Sequence, residues 1–239
     1  MSGHSKWSQI KRKKGIADQK RGQIFSKLSR LITLSVKEGG GITDPANNVK
    51  LRLAIERAKA ENMPHENVKR AIEKAVSSDA SGLKEIIYEA FAPKGVQMII
   101  KGLSDNPNRT HSEVKNLIER LGGKLGTPNS VAHLFKLCGV VVFDKSKNDE
   151  TAIFAFADKL ASFDIEEDDQ DFVVYIPFEQ IGAVHDNLGQ LQAENIEVFY
   201  RPEISVELDQ AAVVVIDNII EKLEDLEDVD KVYANYTTR

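Results

Sequence analysis

Apolar residues recur at helical spacing in the first third of the chain. From Gln23 to Lys37, Ile24, Phe25, Leu28, Leu31, Ile32 and Val36 fall on one face at 100° per residue, while Lys20, Lys27, Arg30 and Lys37 fall opposite. The pattern predicts a helix ended by Gly39, Gly40 and Gly41. A second helix is predicted from Asp44 as N-cap, with Pro45 at the first helical position, through Val49, Leu53, Ala54 and Ala58 to about Glu61. Pro64 opens a third, carried by Val68, Ala71, Ile72, Ala75 and Val76, and Ser77 to Gly82 reads as a linker.

Beyond that linker the period shortens. Glu85 to Phe91 and Val96 to Gly102 read as a hairpin, followed by the turn Ser104-Asp105-Asn106-Pro107. Thr110 with Glu113 has capping-box spacing and introduces a helix with the stripe Val114, Leu117, Ile118 and Leu121. Strands are expected in Val131 to Asp144, Phe172 to Ile176 and Glu197 to Tyr200, with room for one more before Phe172. Helices are expected at Thr151 to Ser162 and Phe178 to Ala193. That order approaches a ferredoxin-like sandwich. A last helix, Asp209 to Leu226, and a strand, Lys231 to Tyr236, supply the pieces that the first β-β-α unit lacks.

The expected class is therefore α+β and multidomain, with a helical N-terminal domain and two α+β ferredoxin-like domains, the middle one discontinuous. The boundaries are 1–76, then 83–130 with 205–239, enclosing 131–204.

Charge changes this picture from architecture to function. Residues 1–76 hold 17 Lys and Arg against 7 Asp and Glu, a net +10, whereas the rest holds 15 against 30, a net −15. A cationic end suits phosphate and an anionic end repels it. The basic constellation is Lys6, Lys11, Arg12, Lys13, Lys14, Lys20 and Arg21 around Trp7, continued by Lys27 and Arg30. Lys11 to Lys14 is too dense to be paired internally, and the Trp7 ring either stacks on a base or packs on the helical core. Asn47, Asn48, Lys50, Arg52, Arg57, Asn67, Lys69 and Arg70 are further phosphate candidates on the second and third helices.

Other classes recede. The longest apolar run, Ala211 to Ile216, is far short of the roughly 20 residues that cross a bilayer, and no secretory leader is read at the start. A cytoplasmic protein without membrane association is expected. Cys138 is the sole cysteine, which excludes an internal disulfide and a cysteine-cluster zinc site. The five histidines lack ligand spacing, the stretch Glu166 to Asp169 has no EF-hand context, and Gly39 to Gly41 follows a helix rather than a strand. No metal, no cofactor and no catalysis are expected.

Gly3-His4-Ser5-Lys6-Trp7 with Ile10, Lys14, Asp18 and Arg21 resembles the opening signature of the YebC/PmpR family. Asn62-Met63-Pro64 with Asn67, Tyr88-Glu89 with Pro93 and Gly95, Asp105-Asn106 with Asn108-Arg109-Thr110, and Gly122-Gly123 with Leu125-Gly126 are similar to its later blocks. The resemblance implies a helical N-terminal domain, two α+β domains with the middle one discontinuous, and a probable DNA-binding transcriptional regulator. It also implies kinship with the mitochondrial translational activator of cytochrome c oxidase and with factors acting at ribosomes stalled on proline-rich peptides. Three readings follow: a regulator on duplex DNA, a translation factor on ribosomal or transfer RNA, and a protein-interaction adaptor whose basic N-terminal stretch is incidental. In the nucleic-acid readings the acidic domains orient the protein or recruit a protein partner. No helix-turn-helix spacing marks a major-groove reader, and no standard RNA-binding motif is present.

Overall fold

A computed structural model describes residues 18–77 and 82–238, with side chains from Arg21 onward. The chain forms two compact units. One contains the described residues up to Ala132 together with Ala211–Ala234, and the other contains His133–Gln210 with the chain from Asn235.

The first unit begins with three helices, α1 (Asp18–Glu38), α2 (Val49–Ala60) and α3 (His65–Val76). Helix α1 starts earlier than the apolar pattern indicates and runs through Gly22, which costs an α-helix only about 1 kcal/mol. Leu28, Ile32 and Val36 of α1 pack with Leu51, Ala54 and Ala58 of α2 and Val68 and Ala71 of α3 into one core. The apolar face read from the sequence is the buried one.

The start of α2 differs from expectation. Asp44 closes a local turn, accepting from Ala46 N at 3.0 Å, and Asn48 is the N-cap. Buried Asn48 accepts from Leu51 N at 3.1 Å while its Nδ2 donates to the carbonyls of Ser35 and Ile42 at 3.0 and 3.1 Å. One side chain thus satisfies both the end of α1 and the beginning of α2. A Cβ on Gly39 would sit 2.2 Å from Asn48 Nδ2, so glycine is required there by close approach.

The sheet of this unit has four strands, in the order 124–125, 84–91, 97–104 and 229–234. Strands β1 (Lys84–Phe91) and β2 (Gln97–Ser104) pair antiparallel with Tyr88 opposite Ile100. Helix α4 (Pro107–Arg120) leads to β3 (Lys124–Leu125), which pairs with β1. The chain returns after residue 210 as α7 (Gln210–Glu224) and β9 (Val229–Ala234), and β9 pairs antiparallel with β2, Ile99 opposite Tyr233. A register shift at Lys101/Gly102 brings Asp228 against β2, and a Cβ on Gly102 would lie 2.1 Å from the Asp228 carbonyl oxygen.

Capping corrects a second expectation. Asn106, not Thr110, caps α4, accepting from Arg109 N at 3.2 Å with Pro107 at the first turn. Thr110 lies inside the helix and is fully buried.

The second unit holds a four-stranded antiparallel sheet in the order 164–167, 171–177, 135–144 and 193–202. Its strands are β4 (Phe135–Asp144), β5 (Asp164–Glu167), β6 (Asp171–Pro177) and β7 (Ala193–Pro202). Central β4 pairs with β6 and β7, and its unbroken run Val140 to Phe143 is buried on both faces of the sheet. Helix α5 (Glu150–Lys159) covers the sheet through Ile153 and Phe156. The helix expected over Phe178 to Ala193 is only a 3-10 turn, Phe178–Ala183, and one α turn, α6 (Val184–Asn187). Gly189 at φ +57° leads out of it, and Ala193 already belongs to β7. A short parallel pair, β8 (Val206–Leu208) with β10 (Tyr236–Thr238), completes the unit.

Candidate nucleic-acid interface

Lys6, Trp7, Lys11, Arg12, Lys13 and Lys14 lie outside the described residues, as does the side chain of Lys20. Arg21 is exposed near the start of α1. Lys27 and Arg30 are on the face of α1 opposite its apolar stripe, yet that face is partly covered. Lys27 Nζ donates to the Glu224 carbonyl at 2.5 Å. Arg30, 19% exposed, donates through Nη2 to the Leu103 carbonyl at 2.6 Å and to Asp228 Oδ1 at 2.7 Å.

Asp228 is the node of this region. Its side chain is 1% exposed and accepts from Arg30, from Arg109 Nη2 at 2.9 Å, from Thr110 Oγ1 at 2.5 Å and from Ser104 Oγ at 3.2 Å. Burial by itself raises a carboxyl pKa, but the Thr110, Arg109 and Arg30 hydrogen bonds outweigh it and hold Asp228 at about 2. The carboxylate is therefore ionised, and two guanidinium groups converge on it from α1 and α4. A second buried carboxylate, Glu89, ties down the loop after β3 by accepting from the backbone N–H groups of Asn129, Val131 and Ala132. Burial raises its pKa, but these bonds together lower it by more, for a net depression.

Arg30 and Arg109 form one side of a groove of about 590 Å³, and α3 forms the other with Asn67, Arg70 and Lys74. Thr33 Oγ1 donates to the Ala71 carbonyl at 3.0 Å, joining α1 to α3 at residues that line the groove. Arg70 and Lys74, one turn apart, are exposed and make no ion pair among the described residues.

The other candidates separate by partner. Arg57 makes a two-pronged contact with Asp230 at 2.8 and 2.7 Å, Lys50 pairs with Glu38 at 2.6 Å, and Asn47 donates to Asp44 at 2.7 Å. Asn48 is the buried cap described above, and Lys69 is exposed on α3. Arg109, Lys74, Asp228 and Ser104 were not among the sequence candidates for this surface. For Arg109 the available signal was the Asp105-to-Thr110 block, whereas nothing local marks Asp228. No group of three or more His, Cys, Asp or Glu suited to a metal ion occurs among the described residues. No helix among them is long and apolar enough to cross a membrane.

A helical segment joined to antiparallel sheets, with two arginines gathered on one shared carboxylate, defines a protein of the α+β class. Its whole length has relatives. Residues 5–78 match the model described as the TACO1/YebC protein N-terminal domain, and residues 83–236 match the TACO1/YebC second and third domain. The chain belongs to the TACO1/YebC family. It is 41% identical over 240 residues to a probable transcriptional regulatory protein of Chloroflexus aurantiacus, covering 98% of this chain and 95% of that one. A protein of the same description from Finegoldia magna is 39% identical, with 99% of each chain covered. The crystal structure of a conserved hypothetical protein from Aquifex aeolicus superposes with a TM-score of 0.85 at 33% identity, covering 98% of both chains.

Proposed function

We propose that this protein is a non-enzymatic, DNA-binding transcriptional regulator of the cytoplasm that grips nucleic acid with its basic N-terminal region. The observation that carries the reading is the convergence of exposed Arg70 and Lys74 with Arg30 and Arg109 on one groove, in a chain whose first 76 residues carry net +10. Phosphate contacts from such cations supply affinity that falls with salt. The names borne by the relatives support a regulatory role. Lys6, Lys11, Arg12, Lys13, Lys14, Lys20 and Arg21 add cationic charge, Trp7 a ring for stacking, and Lys27 and Arg30 the continuation along α1. The anionic remainder, net −15, keeps the polymer to one end and leaves surface for a protein partner.

Sequencing of nucleic acid crosslinked to the protein in growing cells, with Lys11 to Lys14 changed to Glu as control, tests this. Reads concentrated at promoters and lost in the control are expected. Reads concentrated on ribosomal or transfer RNA would replace transcription with translation, and no enrichment over the control would leave a protein adaptor.

A further inference from the structure

The groove between α1, α3 and the start of α4 says which part of a nucleic acid it can hold. Among the described residues none of its lining side chains is aromatic. A base taken out of its stack is normally received on an aromatic ring, and the described lining supplies no such platform. What the groove offers is cationic donors from three directions: Arg70 and Lys74 from α3, Arg109 from α4 and Arg30 from α1. The hydroxyls of Ser26 and Ser29 on α1 add neutral donors. Its volume, about 590 Å³, is that of a small-ligand site and too small for the breadth of a duplex.

Two kinds of carboxylate meet these arginines. Asp228, buried, holds both guanidinium groups from the inside. Asp105 and Glu227, at 62% and 78% exposure, meet them from the solvent side: Asp105 Oδ1 lies 2.9 Å from Arg109 Nη2, and Glu227 Oε1 lies 3.8 Å from Arg30 Nη1. The inner carboxylate fixes where the arginines point. The outer contacts are exposed ion pairs, individually weak, and a phosphate offers the same guanidinium groups a stronger charge-assisted bond.

Resting on the nucleic-acid reading above, we infer that this groove seats one strand's sugar–phosphate backbone without regard to base sequence, with Asp105 and Glu227 holding the arginines until phosphate displaces them. The groove then supplies grip and orientation, and any sequence preference comes from elsewhere in the protein.

The test is fluorescence anisotropy on the full chain with labelled single-stranded and duplex oligonucleotides of two unrelated sequences, titrated from low to moderate KCl. Arg70→Ala with Lys74→Ala weakens binding to both sequences alike, on the order of tenfold at low salt, and makes the log–log salt slope shallower by about 1.4 for single strands or about 1.8 for duplex. Both residues are exposed, so an unchanged melting midpoint confirms an intact fold. Asp105→Asn with Glu227→Gln tightens binding severalfold, and unchanged or weaker binding in that variant overturns the displacement. If the α3 variant keeps wild-type affinity and slope while Lys11 to Lys14 changed to Glu abolishes binding, the groove is not the backbone seat, although the nucleic-acid reading survives. A loss confined to one of the two sequences overturns the sequence independence. Failure of the wild-type chain to bind any of the oligonucleotides overturns both readings.

Discussion

Each compact unit holds an arginine–carboxylate cluster, and the two are built around opposite centres. In the first unit one buried carboxylate, Asp228, is shared by Arg30 and Arg109. In the second, one largely buried arginine, Arg201, is shared by Asp164 and Glu166, with Tyr175 Oη donating to Glu166 at 3.0 Å and the guanidinium 4.3 Å from the Tyr175 ring centre. At the first node one buried carboxylate lies between two guanidinium groups, which Asp105 and Glu227 also meet, and at the second one guanidinium lies between two carboxylates. Both geometries satisfy a buried ion, so stability alone does not choose between them. The first cluster borders the groove that carries exposed Arg70 and Lys74.

The largest effect is expected from removing the shared carboxylate. Asp228→Asn leaves two arginines addressing a neutral group and costs about 3 kcal/mol, read as faster hydrogen exchange across Val229–Ala234. This term depends on acid in a defined direction. The Asp228 pKa is depressed from its ordinary value near 4 to about 2, so its contribution is complete above about pH 4 and disappears as pH falls towards 2. The difference between wild type and Asp228→Asn closes over that interval. Asp144 in the other unit, also held at about 2 by Ser146 and Lys147, titrates in the same window, so the difference is the readout rather than either protein alone.

Next in size is Arg201→Ala, at about 2 kcal/mol, because two neighbouring carboxylates and the buried Tyr175 lose their common partner. Exchange should quicken in β4 and β7 while oligonucleotide affinity stays at the wild-type value, and a change in affinity would break the functional contrast between the clusters. The smallest, Thr110→Val, keeps the shape and removes one hydrogen bond, for about 1 kcal/mol and a modest rise in the Asp228 pKa. If its cost equals that of Asp228→Asn, the node depends on the hydroxyl rather than on the arginines.

Periodicity made most of the architecture legible. The stripe from Ile24 to Val36 is the buried face of α1, the hairpin of β1 and β2 falls where its turn residues place it, and the strand expected before Phe172 is β5. What stayed hidden was decided by partners far along the chain. Asp44-Pro45 and Asn48 are comparable N-terminal signals locally, and the choice between them is made by the carbonyl of Ser35 at the end of α1. Thr110 has capping-box spacing, but its hydroxyl is used by a carboxylate 118 positions later. Lys27 and Arg30 stand opposite an apolar stripe and so read as solvent-facing, yet their partners are up to 198 positions away. Helical spacing reports the hydrophobic face well because apolar residues need only general burial. A polar face covered by distant carbonyls and carboxylates leaves no comparable periodic mark.

The pairing of β9 with β2 also bears on how the protein is made. Ile99 must wait for Tyr233, so the sheet of the first unit cannot gain this strand until more than half of the chain has been added after β2. Closing so long a loop is an entropic barrier that local hairpin formation does not face. Until then β2 presents an open edge of unpaired backbone groups, and Arg30 and Arg109 lack their carboxylate. Assembly of the cationic groove is thereby placed late, after the segment from His133 to Gln210 has been synthesised, and the nascent chain is most prone to edge-to-edge association in that interval.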